Sequence, residues 1–134
     1  MKLLDTNVIL YAFGGPHAYR EPCARILRAA ETSNEYAIDV ELLQEILQVF
    51  GRRGQRTRGA AVFDRVLDLF PDPLAVSGPE ILQARLLFAR YPSLSARDAV
   101  HTAVVVEHGL EGLVTADRDF DPVSEIVRFD PLTM

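Results

Sequence analysis

The sequence holds one cysteine and no tryptophan, and Lys2 is its only lysine. A lone thiol, Cys23, excludes an internal disulfide and a cysteine-built zinc cluster, and it suits a reducing cytoplasm. A lone lysine at position 2 excludes a phosphate-binding P-loop, whose lysine follows a glycine-rich turn. It also counts against phosphoaspartyl enzymes and receiver domains, which rely on a lysine far down the chain. No apolar run approaches bilayer length, and the N-terminus lacks the apolar stretch and cleavage site of a secretory signal. A cytoplasmic protein without membrane segments is expected. His17, His101 and His108 show no zinc spacing and are expected to be structural or exposed, with His101, three residues after Asp98, a candidate neighbour of that carboxylate. Without tryptophan or interleaved aromatics, no base-stacking platform is expected.

What is present is an ordinary globular composition, 49% hydrophobic and 25% charged, at a length of 134 that suits one domain spanning residues 1–134. An apolar strand opens the chain and runs straight into Asp5. Val8–Phe13 reads as a short helix stopped by Gly14-Gly15-Pro16, and residues 21–32 as another, with Cys23, Ile26, Leu27 and Ala30 on its apolar side. Tyr36–Ile38 is a strand candidate, followed by Asp39 as N-cap of an amphipathic helix over 40–50. Further helices are expected over 60–70, from Ser77 to about Arg90 and from Ser95 to Gly109. Leu74–Val76, Leu113–Thr115 and Ile126–Phe129 complete the strands. Such alternation predicts an α/β fold with a mostly parallel central sheet of four to five short strands and helices on both faces.

Four carboxylates stand out by position. Asp5 follows the opening strand, at the strand end where α/β sheets gather ligands, and equally suits a cap on the next helix. Glu45 falls beside the apolar arc of Leu42, Ile46, Val49 and Phe50, as either a cleft-facing acid or a solvated flank. Asp98 sits three residues after Ser95, which suits a capping box. The apolar helix that follows it (Ala99, Val100, Ala103 to Val106) suggests a first turn opening on a cleft. Asp117 follows the strand that ends at Thr115, with Asp119 and Asp121 as spare acids. Clustered carboxylates repel one another unless a cation neutralises them, and oxygen-only ligation suits Mg²⁺ or Mn²⁺.

Leu4-Asp5-Thr6-Asn7-Val8-Ile9-Leu10, the Glu45 helix, Ser95-Ala96-Arg97-Asp98-Ala99 and Thr115-Ala116-Asp117-Arg118-Asp119-Phe120, in that order, resemble a PIN domain of the VapC toxin type. The resemblance implies a three-layer PIN-like fold and a metal-dependent endoribonuclease of a toxin–antitoxin pair, with RNA as substrate, a homodimeric state and a cognate antitoxin. It implies an acidic site of Asp5, Glu45, Asp98 and Asp117 binding Mg²⁺ or Mn²⁺, supported by Thr6, Asn7 and Thr115. Glu41, one turn before Glu45, and Asp119, beside Asp117, are rivals for two of those places. A noncatalytic binding module of the same fold and a metal-dependent DNA nuclease are the alternatives.

The net charge of −5 argues against a nonspecific electrostatic grip on nucleic acid. Setting four carboxylates aside as ligands leaves the remainder at −1, so the objection is weak. Arg52, Arg53, Arg56 and Arg58 lie between Gly51 and Gly59 with no acid among them, and form either a phosphate-gripping patch or a solvated interhelical turn.

Overall fold

The computed structural model describes residues 1–134. Strand β1 (Lys2–Leu4) takes its place by parallel pairing on both sides, with β2 (Tyr36–Ala37) and β3 (Gly112–Val114), and β4 (Arg128–Phe129) adds to β3. The order is β2-β1-β3-β4, so the first strand lies inside the sheet, as its apolar sequence requires. Leu3 is in register with Ala37 and Leu113, and Leu4 with Val114. Residues in register share a face, and successive residues alternate. Leu3, Ala37 and Leu113 therefore enter the core under α5 (Gly78–Arg90) and α6 (Ala96–Glu107). Leu4 and Val114 enter the core under α1 (Thr6–Ala12), α2 (Arg20–Ala30), α3 (Val40–Arg52) and α4 (Arg56–Leu69). The result is an α/β fold of three layers around a four-stranded parallel sheet.

Three local expectations are corrected. Leu74–Val76 contributes only a single parallel bridge, Leu74 to Asp39, because Pro73 has no N–H to extend the ladder and the partner chain turns into α3 at once. The fifth strand candidate shortens to Arg128–Phe129. The arginine-rich stretch is mostly helix: Arg52 closes α3, Arg56 and Arg58 open α4, and only Arg53–Gln55 turn between them. Gly59 does not break α4 because it is a contact point, where a Cβ would come within 2.6 Å of the Phe50 Cβ. Its lack of a side chain lets α3 and α4 pack closely.

Candidate active site

From β1 the chain moves to β2 on one side, and later crosses to β3 on the other. The strand order thus switches direction between β1 and β3, the position where α/β sheets open a crevice at their C-terminal ends. Asp5 leaves β1 there and Thr115 leaves β3 there. The Asp5 N–H still donates to the Val114 carbonyl at 3.0 Å, so the two strand ends are locked together before they diverge.

Thr115 is the hub of this crevice. Its hydroxyl donates to Asp5 Oδ2 at 2.7 Å and accepts from Asn7 Nδ2 at 2.9 Å and from the Asp117 N–H at 3.0 Å. One donor and two lone pairs are all a threonine hydroxyl has, so every capacity is used. Asp5 Oδ1 accepts the Thr6 N–H at 2.7 Å, so Asp5 is both the N-cap of α1 and a member of the cluster. Burial pushes its carboxyl up to about 6, against the pull of His101 and the Thr115 hydroxyl. The Thr6 hydroxyl and Asn7 Oδ1 are buried with no partner.

Asp98 lies in the first turn of α6 and closes a capping box with Ser95: its carboxylate accepts the Ser95 N–H, and its own N–H donates to the Ser95 hydroxyl, both at 3.2 Å. Burial, opposed by the bond from the Ser95 backbone, and the nearby Asp117 charge leave its carboxyl above the usual range. Asp117 caps the 3₁₀ turn Arg118–Phe120 by accepting the Asp119 N–H at 2.9 Å. Asp117 is thus the acid felt by Asp98, while Asp119 is exposed. Glu45 comes from the middle of α3 with its side chain 13% exposed, and shares an open cleft of about 450 Å³ with Ser95, Ala96, Arg97 and Asp98. Arg97 Nη1 is 3.9 Å from Glu45 Oε2. Glu41, also half-buried, is raised by burial and by Glu45 and Asp39, while His101 lowers it.

His101 was expected to be structural or exposed, with the Asp98 neighbourhood as an option. It is fully buried and joins the cluster directly. Its Nδ1 lies 2.7 Å from Asp39 Oδ2, its Nε2 3.0 Å from Glu45 Oε1 and 3.8 Å from Asp5 Oδ1. Carboxylates at both ring nitrogens require a proton on each. Burial alone would lower the imidazolium, but the Asp39 charge, the bonds to Asp39 and Glu45 and the Asp5 charge carry it well above the usual histidine range. Asp39 also caps α3 through the Leu42 N–H at 2.9 Å, so the N-cap and the histidine are one unit. The i, i+3 spacing from Asp98 to His101 was the available signal, since such pairs share a helix face.

The donor set suits a hard divalent cation that keeps most of its water. The acids offer only oxygens, burial raises the carboxyls of Asp5 and Asp98 above their ordinary range, and Asn7 Oδ1 is an unused buried acceptor. No three histidine, cysteine, aspartate or glutamate side chains stand close enough together to hold a metal ion as they are placed. The four arginines are exposed; Arg53 and Arg58 each stand 5.8 Å from the Phe50 ring, and Arg58 donates to the Phe13 carbonyl at the end of α1. No helix is long and apolar enough to cross a membrane.

A family model for the PIN domain matches residues 2–126. Over 129 residues the chain is 33% identical to the VapC ribonuclease Mb1869c of Mycobacterium bovis, covering 96% of this chain and 98% of that relative. Over 136 aligned positions it is 35% identical to Ribonuclease VapC7 of Mycobacterium tuberculosis, covering 98% and 92%. Among solved structures, FitAcB from Neisseria gonorrhoeae matches with a TM-score of 0.77 at 19% identity over the whole of both chains. VapBC2 from Rickettsia felis, bound to a DNA fragment from their promoter, matches with a TM-score of 0.77 at 15% identity over 96% of this chain and 97% of that one. At these identities the structural likeness concerns the fold alone.

Proposed function

The chain belongs to the PIN-domain family, as a VapC-type member, and on that premise we propose that it is a metal-dependent endoribonuclease, the toxin of a toxin–antitoxin pair. The observation that carries the proposal is the gathering of Asp5, Glu45, Asp98 and Asp117 around one crevice, with His101 as the buried cation among them. Its partners are RNA as substrate, a cognate antitoxin protein and a second copy of the chain, in the cytoplasm.

Asp5 and Asp98, with Asp117 beside Asp98, would hold Mg²⁺ or Mn²⁺. Bound there, the cation supplies Lewis acidity at a phosphoryl oxygen and lowers the pKa of water. Thr115 keeps Asp5 Oδ2 in place, and Asn7, fixed by its amide to Thr115, leaves Oδ1 to accept from a water. Glu45 Oε1 is committed to His101, so Oε2 is the oxygen that orients the attacking water and takes its proton. Arg97 offers a cation to the phosphate at the cleft wall, and Arg52, Arg53, Arg56 and Arg58 offer theirs to flanking phosphates.

Labelled total RNA incubated with the purified protein in Mg²⁺ or Mn²⁺, with and without EDTA and beside Asp98→Asn, tests the reading. Cuts that need the metal and vanish in the variant are expected. Equal cutting by wild type and variant would point to a contaminant or to the noncatalytic module, and equal cutting of matched DNA to a DNA nuclease.

A further inference from the structure

We propose that Tyr11, His17 and Tyr19 form a nucleobase-binding platform that seats an unpaired RNA base beside the cleavage site, an inference that rests on the ribonuclease reading. Sequence spacing gave no hint of it, because the three residues come together only when the loop after α1 folds back. The ring of His17 then lies 4.5 Å from that of Tyr11 and 6.0 Å from that of Tyr19, with the tyrosines 5.2 Å apart. All three interplanar angles lie between 24° and 29°. Near-parallel rings in an offset cluster offer aromatic surface that a planar base can extend, whatever its identity.

Pinning the loop needs only Tyr11 and Tyr19, which also pack on the core. His17 adds an exposed ring that a clamp does not require. That ring is held in place, since its Nδ1 accepts the Tyr19 N–H at 3.1 Å. In the neutral imidazole this puts the proton on Nε2, available to a base edge.

Two ties set the platform beside the acidic crevice. Asn7 and Tyr11 are four residues apart on α1, so they share a face about one turn, ~5.4 Å, apart. From the other side, the Tyr19 hydroxyl donates to the Asp130 carboxylate at 3.0 and 3.1 Å. Asp130 accepts Arg128 at 3.4 Å, and Arg128 donates to the Thr115 carbonyl at 3.0 Å. Thr115 thus touches the platform's supports through both routes, and a base seated there sets the strand's register against Asp5. Farther along, Arg58 holds the Phe13 carbonyl at the end of α1. Acids, aromatic rings and a cation therefore follow one another along a helix of about 10 Å.

The test uses a fluorescent pool of random-sequence single-stranded RNA of about a dozen nucleotides. It is titrated by anisotropy with Asp98→Asn protein, alone and combined with His17→Ala or His17→Phe. His17→Ala is expected to weaken binding on the order of tenfold, the cost of one lost base stack, and His17→Phe to restore it. A fully paired RNA of the same length should show no difference, because its bases already stack within the helix. Equal affinity of the parent and His17→Ala for the single strand would overturn the proposal, as would a loss that His17→Phe does not repair or that the duplex shares. Cleavage of total RNA by His17→Ala protein separates the two readings. Metal-dependent cutting with undiminished RNA affinity sinks the platform alone and leaves its surface to a protein partner. If the wild type neither binds nor cuts RNA, the ribonuclease reading falls and the platform with it.

Discussion

Asp5 shows how a residue can serve the site at the expense of the fold. It caps α1 and receives the Thr115 hydroxyl, yet burial holds its carboxyl at about 6 instead of the ordinary 3.8. The folded chain therefore binds this proton more tightly than the unfolded chain. The stability that neutral Asp5 contributes is fully present below about 4 and is lost as pH rises through about 6. Metal affinity runs the other way, because a ligand carboxylate must be ionised. Mn²⁺ binding measured by calorimetry should be about tenfold weaker at pH 5 than at pH 7. Asp5→Asn should abolish that binding and yet make the metal-free protein more stable at pH 7, by about 2 kcal/mol in denaturant unfolding. Asparagine caps a helix as well as aspartate, so a variant less stable than wild type would mean that the ionised carboxylate's ties to Thr115 and His101 outweigh its burial. His101 belongs to the same logic: as the internal cation it offsets Asp39 and Glu45, and removing it would leave buried carboxylates unpaired.

Among the elements, β4, like α4 at Gly59, depends for its attachment on a missing side chain. A Cβ on Gly112 would come within 2.3 Å of the Val127 carbonyl oxygen and 2.7 Å of the Phe129 ring. The oxygen belongs to the backbone that the Leu113 N–H holds at 2.9 Å, so it cannot yield without breaking the ladder. Gly112→Ala should cost about 1–3 kcal/mol in thermal or denaturant unfolding and release protection of the Leu113 and Thr115 amides from hydrogen exchange. Unchanged protection would show that β4 docks by other contacts. Local signals made most elements readable beforehand: Ser77, Ser95 and Asp39 cap their helices, and apolar triplets mark β1 and β3. Elements that exist only through a tertiary partner were not readable. Leu74 pairs for one residue because Asp39 is there, and α4 runs through Gly59 because Phe50 needs the space. The candidate acids were legible because three of them sit at strand ends or in a helix's first turn. His101 was not, since an apolar-helix histidine is equally at home in an ordinary core and only the fold sets Asp39 and Glu45 at its two nitrogens.

At the scale of the molecule, the acidic crevice and an apolar groove meet at the start of α6. Leu82, Leu86 and Phe88 on α5 are 71%, 57% and 53% exposed, and Ile81 is 50% exposed. Ile81, Ala84 and Phe88 also line an open groove of about 250 Å³ with Ala96, Ala99 and Val100 of α6. Ile81 and Phe88 share the side of α5 that turns to the groove, while Leu82 and Leu86 stand on another side of the helix; exposed apolar side chains beside an apolar groove mark an association surface. A second copy of the chain, which the family resemblance implies, would find an apolar seat here, and that seat would bear on activity. The groove ends at Ala96, next to Arg97 and Asp98, so a second copy seated on it would wall the cleft in which those residues stand. If that seat is used, the wild type should sediment at twice the chain mass and Phe88→Glu at the chain mass, with an unchanged circular dichroism spectrum. The same substitution should lower RNA cleavage, although Phe88 lies outside the acidic cluster. A monomeric variant that cuts as fast as wild type would mean that each crevice works alone. A wild type that is itself monomeric would leave α5 exposed for a partner of another kind, with the antitoxin the first to test on it.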